Sequence, residues 1–250
     1  MSQNFKFYSQ YYDLLYQDKA YQAEADYVHQ LIIQYCPNSA SILELGSGTG
    51  KHANLLVKLG YHILGLERSA EMVEIANRMN AENVTFKVAD ITNFQINQSF
   101  DVALSLFHVI SYLTENQSLI STFKNVNRHL NEGGLFIFDV WHSAAVNFQK
   151  PKKRTKTLRN EQIHVTRFAN PIIDTEQNVV EVNYNIEVKD LKDGKITNIE
   201  ESHPMRHFSK PEIELLTYAT GFEIIHSEEF LSKVIPSVNT WGVCYILKKL

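Results

Sequence analysis

The sequence predicts an α/β fold in which a doubly wound, mostly parallel sheet carries an antiparallel β insertion. Apolar strand-like runs alternate with helical patterns over residues 41–140, which is typical of a parallel sheet with right-handed crossovers. Apolar and polar residues then alternate strictly over 179–190, as in an antiparallel strand with one face in water. Helical and strand patterns resume from Lys210 onward, so the sheet is expected to be completed after the insertion.

Short apolar runs mark the strands of the predicted sheet. They are SILEL (41–45), HILGLE (62–67), VTFKVAD (84–90), FDVALSLF (100–107), LFIFDV (135–140) and, last, WGVCYILKK (241–249). Strands of a parallel sheet show such runs because both of their faces are covered. Helices are predicted over 51–59, after the capping residue Ser69, over 119–130 and in the segment with Pro211 in its first turn.

The insertion is expected over about 142–206. One face of its alternating strand carries Val180, Val182, Tyr184, Ile186 and Val188, and an Asp-Gly turn returns the chain through ITNIEESHPMRHF. The basic stretch KPKKRTKTLR (150–159) is predicted to be a solvated loop. The expected domains are therefore 1–141 with an N-terminal helical lid, the insertion 142–206, and 207–250, which completes the first domain.

Composition and charge exclude several classes of protein. With 250 residues, 44% of them hydrophobic, the chain is long enough for a sizeable core, and its net charge of −4 argues against general binding to nucleic acid or anionic membranes. Cys36 and Cys244 lie far apart, so we expect a reducing, cytoplasmic location and no disulfide framework. The N-terminus has no continuous apolar run, which predicts neither a signal peptide nor a membrane anchor.

The loop after the first strand, GSGTG (46–50), has three glycines in five positions, so a ligand is expected to approach its backbone closely. Ligands of open parallel sheets bind at the carboxyl ends of the strands, where this loop lies. A nucleotide-triphosphate P-loop is excluded because His52 stands where Ser or Thr is needed. A dinucleotide motif fails when counted from Gly46 but passes from Gly48, with Ala53 in sixth position, so a nicotinamide-dependent oxidoreductase stays open.

Glu44, directly before the glycines, favours a third interpretation. A carboxylate repels a pyrophosphate but attracts a ligand that carries a cationic amine. The pattern E-x-G-x-G-x-G over 44–50 resembles class I S-adenosylmethionine-dependent methyltransferases, and their cofactor has an ammonium, a sulfonium and no phosphate. Glu67 at the end of the second strand and VADI (88–91) at the end of the third stand where this family binds the ribose and the adenine.

This resemblance implies a Rossmann-like, seven-stranded sheet and S-adenosyl-L-methionine as the cofactor. The cofactor-binding residues that it implies in the first domain are Glu44, Gly46, Ser47, Gly48, Gly50, Glu67, Arg68, Ala89, Asp90, Ile91, Leu106 and Phe107.

A closer similarity is to the N,N-dimethyltransferases of nucleotide-linked amino sugars, of the desosamine and mycaminose type. It rests on YYDLLY…DKAYQAEADYV, on GTGKH and on GLERSAEMVEIA, and it extends loosely into the insertion. It implies that five further residues lie near the methionine end or the reactive methyl of the cofactor: Tyr12, Tyr16, Lys19, Tyr21 and His52. The subgroup carries a histidine near the acceptor at a position where this chain has Tyr112, within LFHVISYL, while His108 comes earlier in that segment.

The predicted function is methylation of a small molecule by direct in-line transfer, at an amine such as that of an amino sugar. Positioning alone supplies on the order of 7–11 kcal/mol to such reactions. Tyr16 and Tyr112 are the predicted catalytic residues; the predicted acceptor-binding residues are Trp141, His142, His203 and Arg206. No metal-ligand spacing stands out, a homodimer is compatible with the sequence, and the alternatives are a nicotinamide-dependent oxidoreductase or a non-catalytic cofactor-binding protein.

Overall fold

The computed structural model describes residues 14–16, 19–79 and 82–250. The chain divides into two compact units. One unit, here called the insertion unit, combines Met1–Ala20 with Lys150–Met205; the other, the core unit, combines Tyr21–Gln149 with Arg206–Leu250. The expected division of labour between core, cap and lid stays a prediction.

Eleven strands are found in the described part of the chain. They are β1 (Ser41–Leu45), β2 (His62–Glu67), β3 (Val84–Val88), β4 (Phe100–Ser105), β5 (Leu130–His142), β6 (Arg154–Arg159), β7 (Ile163–Asp174), β8 (Val179–Asp190), β9 (Ile196–Phe208), β10 (Phe222–Glu229) and β11 (Gly242–Lys249). The helices are α1 (Tyr21–Tyr35), α2 (Lys51–Val57), α3 (Ala70–Asn77), α4 (Asn116–His129), α5 (Ser143–Gln149) and α6 (Lys210–Thr220), with a 3₁₀ turn at Val109–Tyr112.

In the core unit, seven strands follow the order β3-β2-β1-β4-β5-β11-β10. The first five are parallel, whereas β11 runs antiparallel to both β5 and β10. The order reverses between β1 and β4, so the carboxyl ends of these two strands flank the crevice in which such sheets bind ligands. The predicted α/β class with a mostly parallel sheet is confirmed.

Both faces of this sheet are buried, and successive residues of each strand serve different cores. On β1, Leu43 and Leu45 pack with the phenylalanines of β5 and α4, whereas Ile42 packs beneath α1 and α2. This explains the continuous apolar runs, because a strand covered on both sides has no polar face.

Local signals set the helix boundaries of the core unit. The hydroxyl of Ser69 accepts a hydrogen bond from Met72 N at 3.3 Å and begins α3. Ser209 and Glu212 form a reciprocal capping box at the start of α6, and Gly221, with φ of 77°, ends that helix. These boundaries were predictable because the residues that form them are neighbours in sequence.

The insertion unit is an antiparallel sheet with a core of its own. β7 pairs with both β6 and β8, and β9 follows β8 in the strand order. Its buried residues are Leu14, Leu15, Ile163, Val165, Ile186 and Val188. The predicted burial alternation along β8 is confirmed.

The prediction of a loop over 150–159 is wrong for its second half, because Arg154–Arg159 forms β6. Exposed basic side chains are common on edge strands, since charge there discourages pairing with other chains. Leu158 packs against the core of the insertion unit and fixes the inward face of this strand.

Within the described residues, no helix has the length and apolar character needed to cross a membrane.

Candidate active site

The glycine loop between β1 and α2 adopts backbone angles that other residues avoid. Gly46, Gly48 and Gly50 have φ of 68°, 54° and 76°. A Cβ on Gly46 would lie 2.6 Å from a methyl carbon of Val109, whereas a Cβ on Gly48 would meet nothing within 4 Å. The loop is therefore closely packed at its first glycine and open at its second, which is where a ligand has room to approach.

Glu44 lies under this loop and is buried, with 2% of its surface exposed. Burial, with a smaller contribution from the charge of Glu67, raises the pKa of Glu44 to about 8. Its Oε2 has no hydrogen-bond partner among the described residues. A buried carboxyl group with an oxygen that lacks a hydrogen-bond partner favours a ligand that places a positively charged donor beside it.

His52, in the first turn of α2, stands between two carboxylates. Its Nε2 lies 2.6 Å from Oε2 of Glu24, and its Nδ1 lies 3.9 Å from Oε1 of Glu44. The ring of Tyr21 packs on His52 at 5.0 Å between centroids, and Nζ of Lys51 lies 5.0 Å from the centre of the Tyr21 ring. The structure thus brings Tyr21, Glu44 and His52 together, and their binding of a cofactor stays a prediction.

Glu67 ends β2 beside the open part of the glycine loop. Its Oε2 accepts a hydrogen bond from Gly48 N at 3.1 Å, and its Oε1 accepts one from Ser69 N at 2.9 Å. These two bonds fix the carboxylate at the carboxyl edge of the sheet, where remaining lone pairs can accept hydroxyl hydrogens.

Asp90 follows β3 at the same edge. It accepts hydrogen bonds from the backbone and hydroxyl of Thr92 at 2.8 and 2.7 Å, and these bonds, with Arg68 nearby, hold its pKa below the usual range. Ala89 and Ile91 on either side pack partly against the apolar core of the sheet. An ionised acid between two apolar neighbours is the arrangement expected for an adenine pocket.

The segment after β4 completes the edge. Leu106 is buried, whereas Phe107 and Tyr112 are 39% and 47% exposed. Phe107 and His108 both have left-handed backbones, and His108 lies against Asp139 of β5 with Nδ1 at 2.6 Å from Oδ2. Trp141 and His142 follow at the end of β5, as predicted.

Three of the predicted residues lie in the insertion unit. Burial raises the pKa of Tyr16, while the neighbouring Arg167 opposes this rise and hydrogen-bonds the phenol group. His203 packs edge-on against Tyr184 at 5.3 Å and lies 3.1 Å from Glu201. Lys19 N donates to the carbonyl of Tyr16 at 3.1 Å. Tyr16 and His203 therefore share one aromatic and charged cluster, and Tyr12 lies outside the described residues.

Arg206 is held by the core unit through several bonds. Its guanidinium donates to the carbonyl of Thr114 at 3.1 Å, to Asn116 Oδ1 at 2.7 Å and to Glu212 at 3.1 Å. These contacts tie the end of β9 to the starts of α4 and α6. Its predicted role in acceptor binding stays a prediction, beside this evident role in structure.

Sequence reasoning missed Glu24, Asp139 and Val109. Asp139 had a detectable signal, because it is an acid near the end of an apolar strand run, as Glu44 is in SILEL. Glu24 and Val109 gave none, since their importance comes from contacts with His52 and Gly46 across the fold.

Glycines after the first strand and acids at the ends of the first three strands lie together at the carboxyl edge of the sheet, where the resemblance to class I methyltransferases predicts the cofactor site. Residues 42–134 match the sequence model of a family described as Methyltransferase domain. The predicted methyltransferase class is confirmed, and nothing among the comparisons favours the nicotinamide-dependent alternative.

A curated relative and a solved structure are both named as methyltransferases. The chain is 28% identical over 215 residues to a dTDP-3-amino-3,6-dideoxy-alpha-D-glucopyranose N,N-dimethyltransferase from Streptomyces fradiae, covering 85% of this chain and 82% of that protein. The structure of this chain resembles that of an S-adenosylmethionine-dependent methyltransferase from Clostridium acetobutylicum, with a TM-score of 0.83, 21% identity and 98% of each chain covered.

A second similar structure is an S-adenosylmethionine-bound amino pentose methyltransferase from Micromonospora echinaspora, involved in calicheamicin biosynthesis. The TM-score is 0.77 at 20% identity, with 98% of this chain and 97% of that chain covered. At such identities these likenesses establish the fold, which is shared over nearly the whole chain.

Proposed function

We propose that this protein is an S-adenosylmethionine-dependent N-methyltransferase that acts on the amine of a nucleotide-linked amino sugar. The observation that carries the proposal is the pair Glu44 and Glu67, which flank an open glycine loop at neighbouring strand ends. A diphosphate would meet two carboxylates there, whereas a cationic amino-acid nucleoside would satisfy both.

The residues present fit this cofactor. Glu44, buried and lacking a hydrogen-bond partner for Oε2 in the described part of the chain, suits an ammonium group. Glu67, fixed by two backbone bonds, suits a ribose diol, and Asp90 with Ala89 and Ile91 suits an adenine. When bound, the cofactor supplies a methyl group activated on a sulfonium.

The contribution of the protein to such a reaction is mainly positioning and exclusion of water. The exposed Phe107 and the half-buried Trp141 place aromatic rings at the ends of β4 and β5, where a cation is attracted to ring faces. An acceptor nitrogen needs its lone pair free, so a nearby group that accepts a proton assists the reaction.

The acceptor class is inferred from two sources. The Streptomyces fradiae relative is named for a dTDP-linked 3-amino sugar. The cluster of Tyr16, Arg167, Tyr184 and His203 in the insertion unit offers a cation, hydroxyls and aromatic faces, which are the groups that recognise sugars and phosphates.

The test is methylation of dTDP-3-amino-3,6-dideoxy-α-D-glucopyranose, followed by mass spectrometry of the sugar and by release of the demethylated cofactor. Calorimetry should show that Glu67→Gln weakens cofactor binding at least about tenfold, which corresponds to the loss of a charge-assisted hydrogen bond. The matched control is Glu223→Gln, an exposed carboxylate on β10.

Methylated sugar from the wild type, with Glu67→Gln impaired and Glu223→Gln unchanged, supports the proposal. If the wild type binds the cofactor but leaves every amino sugar unmethylated, the acceptor class is wrong. Equal cofactor affinity in all three proteins would show that the site itself is misplaced.

A further inference from the structure

The strongest feature outside the cofactor residues is a strained backbone that presents a histidine after β4. Phe107 and His108 have φ of 67° and 61°, although neither is glycine. Each such residue costs about 1–2 kcal/mol, and two in succession persist only where the surroundings hold them. Strain of this kind concentrates at functional sites.

Asp139 holds this strained segment with both of its oxygens. Its Oδ1 accepts the backbone N–H of His108 at 3.2 Å, and its Oδ2 lies 2.6 Å from Nδ1 of the ring. Asp139 is 1% exposed, whereas the His108 side chain is 25% exposed. A buried carboxylate thus accepts a hydrogen bond from the backbone of His108 and lies in ion-pair contact with its ring, where Nδ1 makes no aligned hydrogen bond with a described residue.

The ring is also confined by its neighbours. A Cβ on Gly242 would lie 3.3 Å from Cε1 of His108, so the absence of a side chain on β11 makes room for the ring. Trp141 packs edge-on at 6.3 Å, and Phe107 lies at 6.1 Å between ring centroids. These neighbours lie around the imidazole, whose Nδ1 is beside the carboxylate, so Nε2 is the nitrogen left to exchange a proton.

His108 also lies beside the cofactor loop. The next residue, Val109, would meet a Cβ on Gly46 at 2.6 Å, so the two segments are in direct contact. His108 thus occupies the carboxyl end of β4, one residue from the wall of the glycine loop.

We propose that His108, oriented by Asp139, is the base that removes the proton from the acceptor ammonium. This inference rests on the proposed N-methylation and names a residue for it that the similarity to amino-sugar enzymes did not indicate. An aspartate that holds one imidazole nitrogen leaves the other to accept a proton, which is the arrangement used in hydrolytic triads.

In the proposed step, the substrate ammonium gives one proton to Nε2 of His108 and becomes a neutral amine. The lone pair of that nitrogen then forms a bond to the methyl carbon as the carbon–sulfur bond breaks. The electron pair of the broken bond remains on sulfur. The imidazolium, stabilised by Asp139, later releases its proton to water.

The experiment uses the full-length protein and the dTDP-3-amino-3,6-dideoxyglucose acceptor. His108→Gly suits the left-handed backbone and leaves space for added imidazole, while Asp139→Asn keeps the shape of the pair and removes its charge. The matched control is His62→Gln, an exposed histidine at the start of β2.

We expect kcat of His108→Gly to fall by on the order of 100-fold or more, with KM for the acceptor and the cofactor Kd nearly unchanged. Added imidazole should restore activity by at least about tenfold, and the control should retain wild-type kcat. Asp139→Asn should lower kcat in the same way, without imidazole rescue. An acceptor analogue whose amine is already neutral should show little defect with either variant.

Two results would overturn the assignment of His108. One is a kcat of His108→Gly within about threefold of the wild type. The other is a loss that imidazole does not restore and that the neutral-amine analogue shares. If instead the wild type methylates no amino sugar, the proposed function fails and the role of His108 fails with it, so the two failures are distinguished by the wild-type assay.

Discussion

Glu44, a predicted cofactor-binding residue, shows at the scale of one residue how a site for a cation would oppose stability. In the free protein its burial favours the protonated carboxyl, with a pKa of about 8. A cationic ligand favours the carboxylate, so binding below this pH must release a proton. The side chain is therefore suited to the bound state and only tolerated in the free state, as is common at functional sites.

Replacing Glu44 by Gln should stabilise the free protein at alkaline pH while abolishing cofactor binding. The pKa in the folded state, about 8, exceeds the ordinary value of 4.5, so the folded protein keeps the proton over this window. The stability that this proton contributes is fully present below about pH 4.5 and is lost as the pH rises through 8.

The melting temperature of Glu44→Gln relative to the wild type should therefore rise through that window, by on the order of 5 °C, and then level off. Differential scanning calorimetry across the pH range measures this difference. Glu223→Gln is the control, and its difference from the wild type should not change with pH. A flat difference for Glu44→Gln as well would mean that Glu44 is ionised in the folded protein at neutral pH.

Arg206 offers a second test at the residue scale. Its hydrogen bonds indicate a role in stability, whereas the sequence predicts a role in acceptor binding. Arg206→Met should lower the free energy of unfolding by about 2–3 kcal/mol, since the Glu212 carboxylate and the Thr114 carbonyl lose their donor. Urea unfolding measures this loss. Lys210→Met is the matched control, because its partner Glu214 lies 3.7 Å away on an exposed surface, where such pairs contribute below about 1 kcal/mol. An unchanged stability with a raised KM for the acceptor would instead support the sequence prediction.

At the scale of elements, the glycine loop and the 3₁₀ turn after β4 are packed as one unit. Gly46 and Val109 meet at a distance that excludes any side chain on the glycine. The cofactor loop and the segment that carries His108 therefore cannot move independently at this point.

Gly46→Ala should destabilise the protein and weaken cofactor binding, because the new methyl would lie 2.6 Å from Val109 in a backbone that already disfavours alanine. Gly60→Ala has the same unfavourable φ, at 98°, but nothing within 4 Å, so it isolates backbone strain of about 1 kcal/mol. Thermal melts and calorimetry should show a larger loss of stability and of cofactor affinity for Gly46→Ala than for Gly60→Ala, and the difference measures the clash with Val109. The double variant Gly46→Ala with Val109→Ala should recover much of the loss; no recovery would show that the contact with Val109 is not the cause.

Elements with local causes were predictable from sequence, and contacts between distant residues were not. Ser69 and the Ser209–Glu212 box set helix starts within a few residues, and continuous apolar runs identified β1, β2, β4 and β5. β6 escaped prediction because its pairing with β7 depends on the partner strand. The His108–Asp139 and His52–Glu24 contacts escaped because they join residues that only the fold brings together.

At the scale of the whole molecule, the described residues form three hydrophobic clusters, two in the core unit and one in the insertion unit. The core unit packs apolar side chains on both faces of its parallel sheet, and the insertion unit packs Leu14 and Leu15 with β7 and β8. The predicted cytoplasmic location, the homodimer and the absence of nucleic-acid binding stay predictions.

Since most of the predicted cofactor-binding residues lie in the core unit, the cofactor should stabilise that unit by mass action. At a concentration about 100 times its Kd, the free energy of unfolding of the core unit should rise by about 2.7 kcal/mol. Native-state hydrogen exchange reports this gain at the amides of β1 and β4, which lie in the centre of the sheet and exchange by unfolding. Glu67→Gln at the same cofactor concentration is the control and should gain much less, because its Kd is higher. Equal protection in both proteins would show that the cofactor binds elsewhere, and no protection in the wild type would show that the core unit does not bind this cofactor.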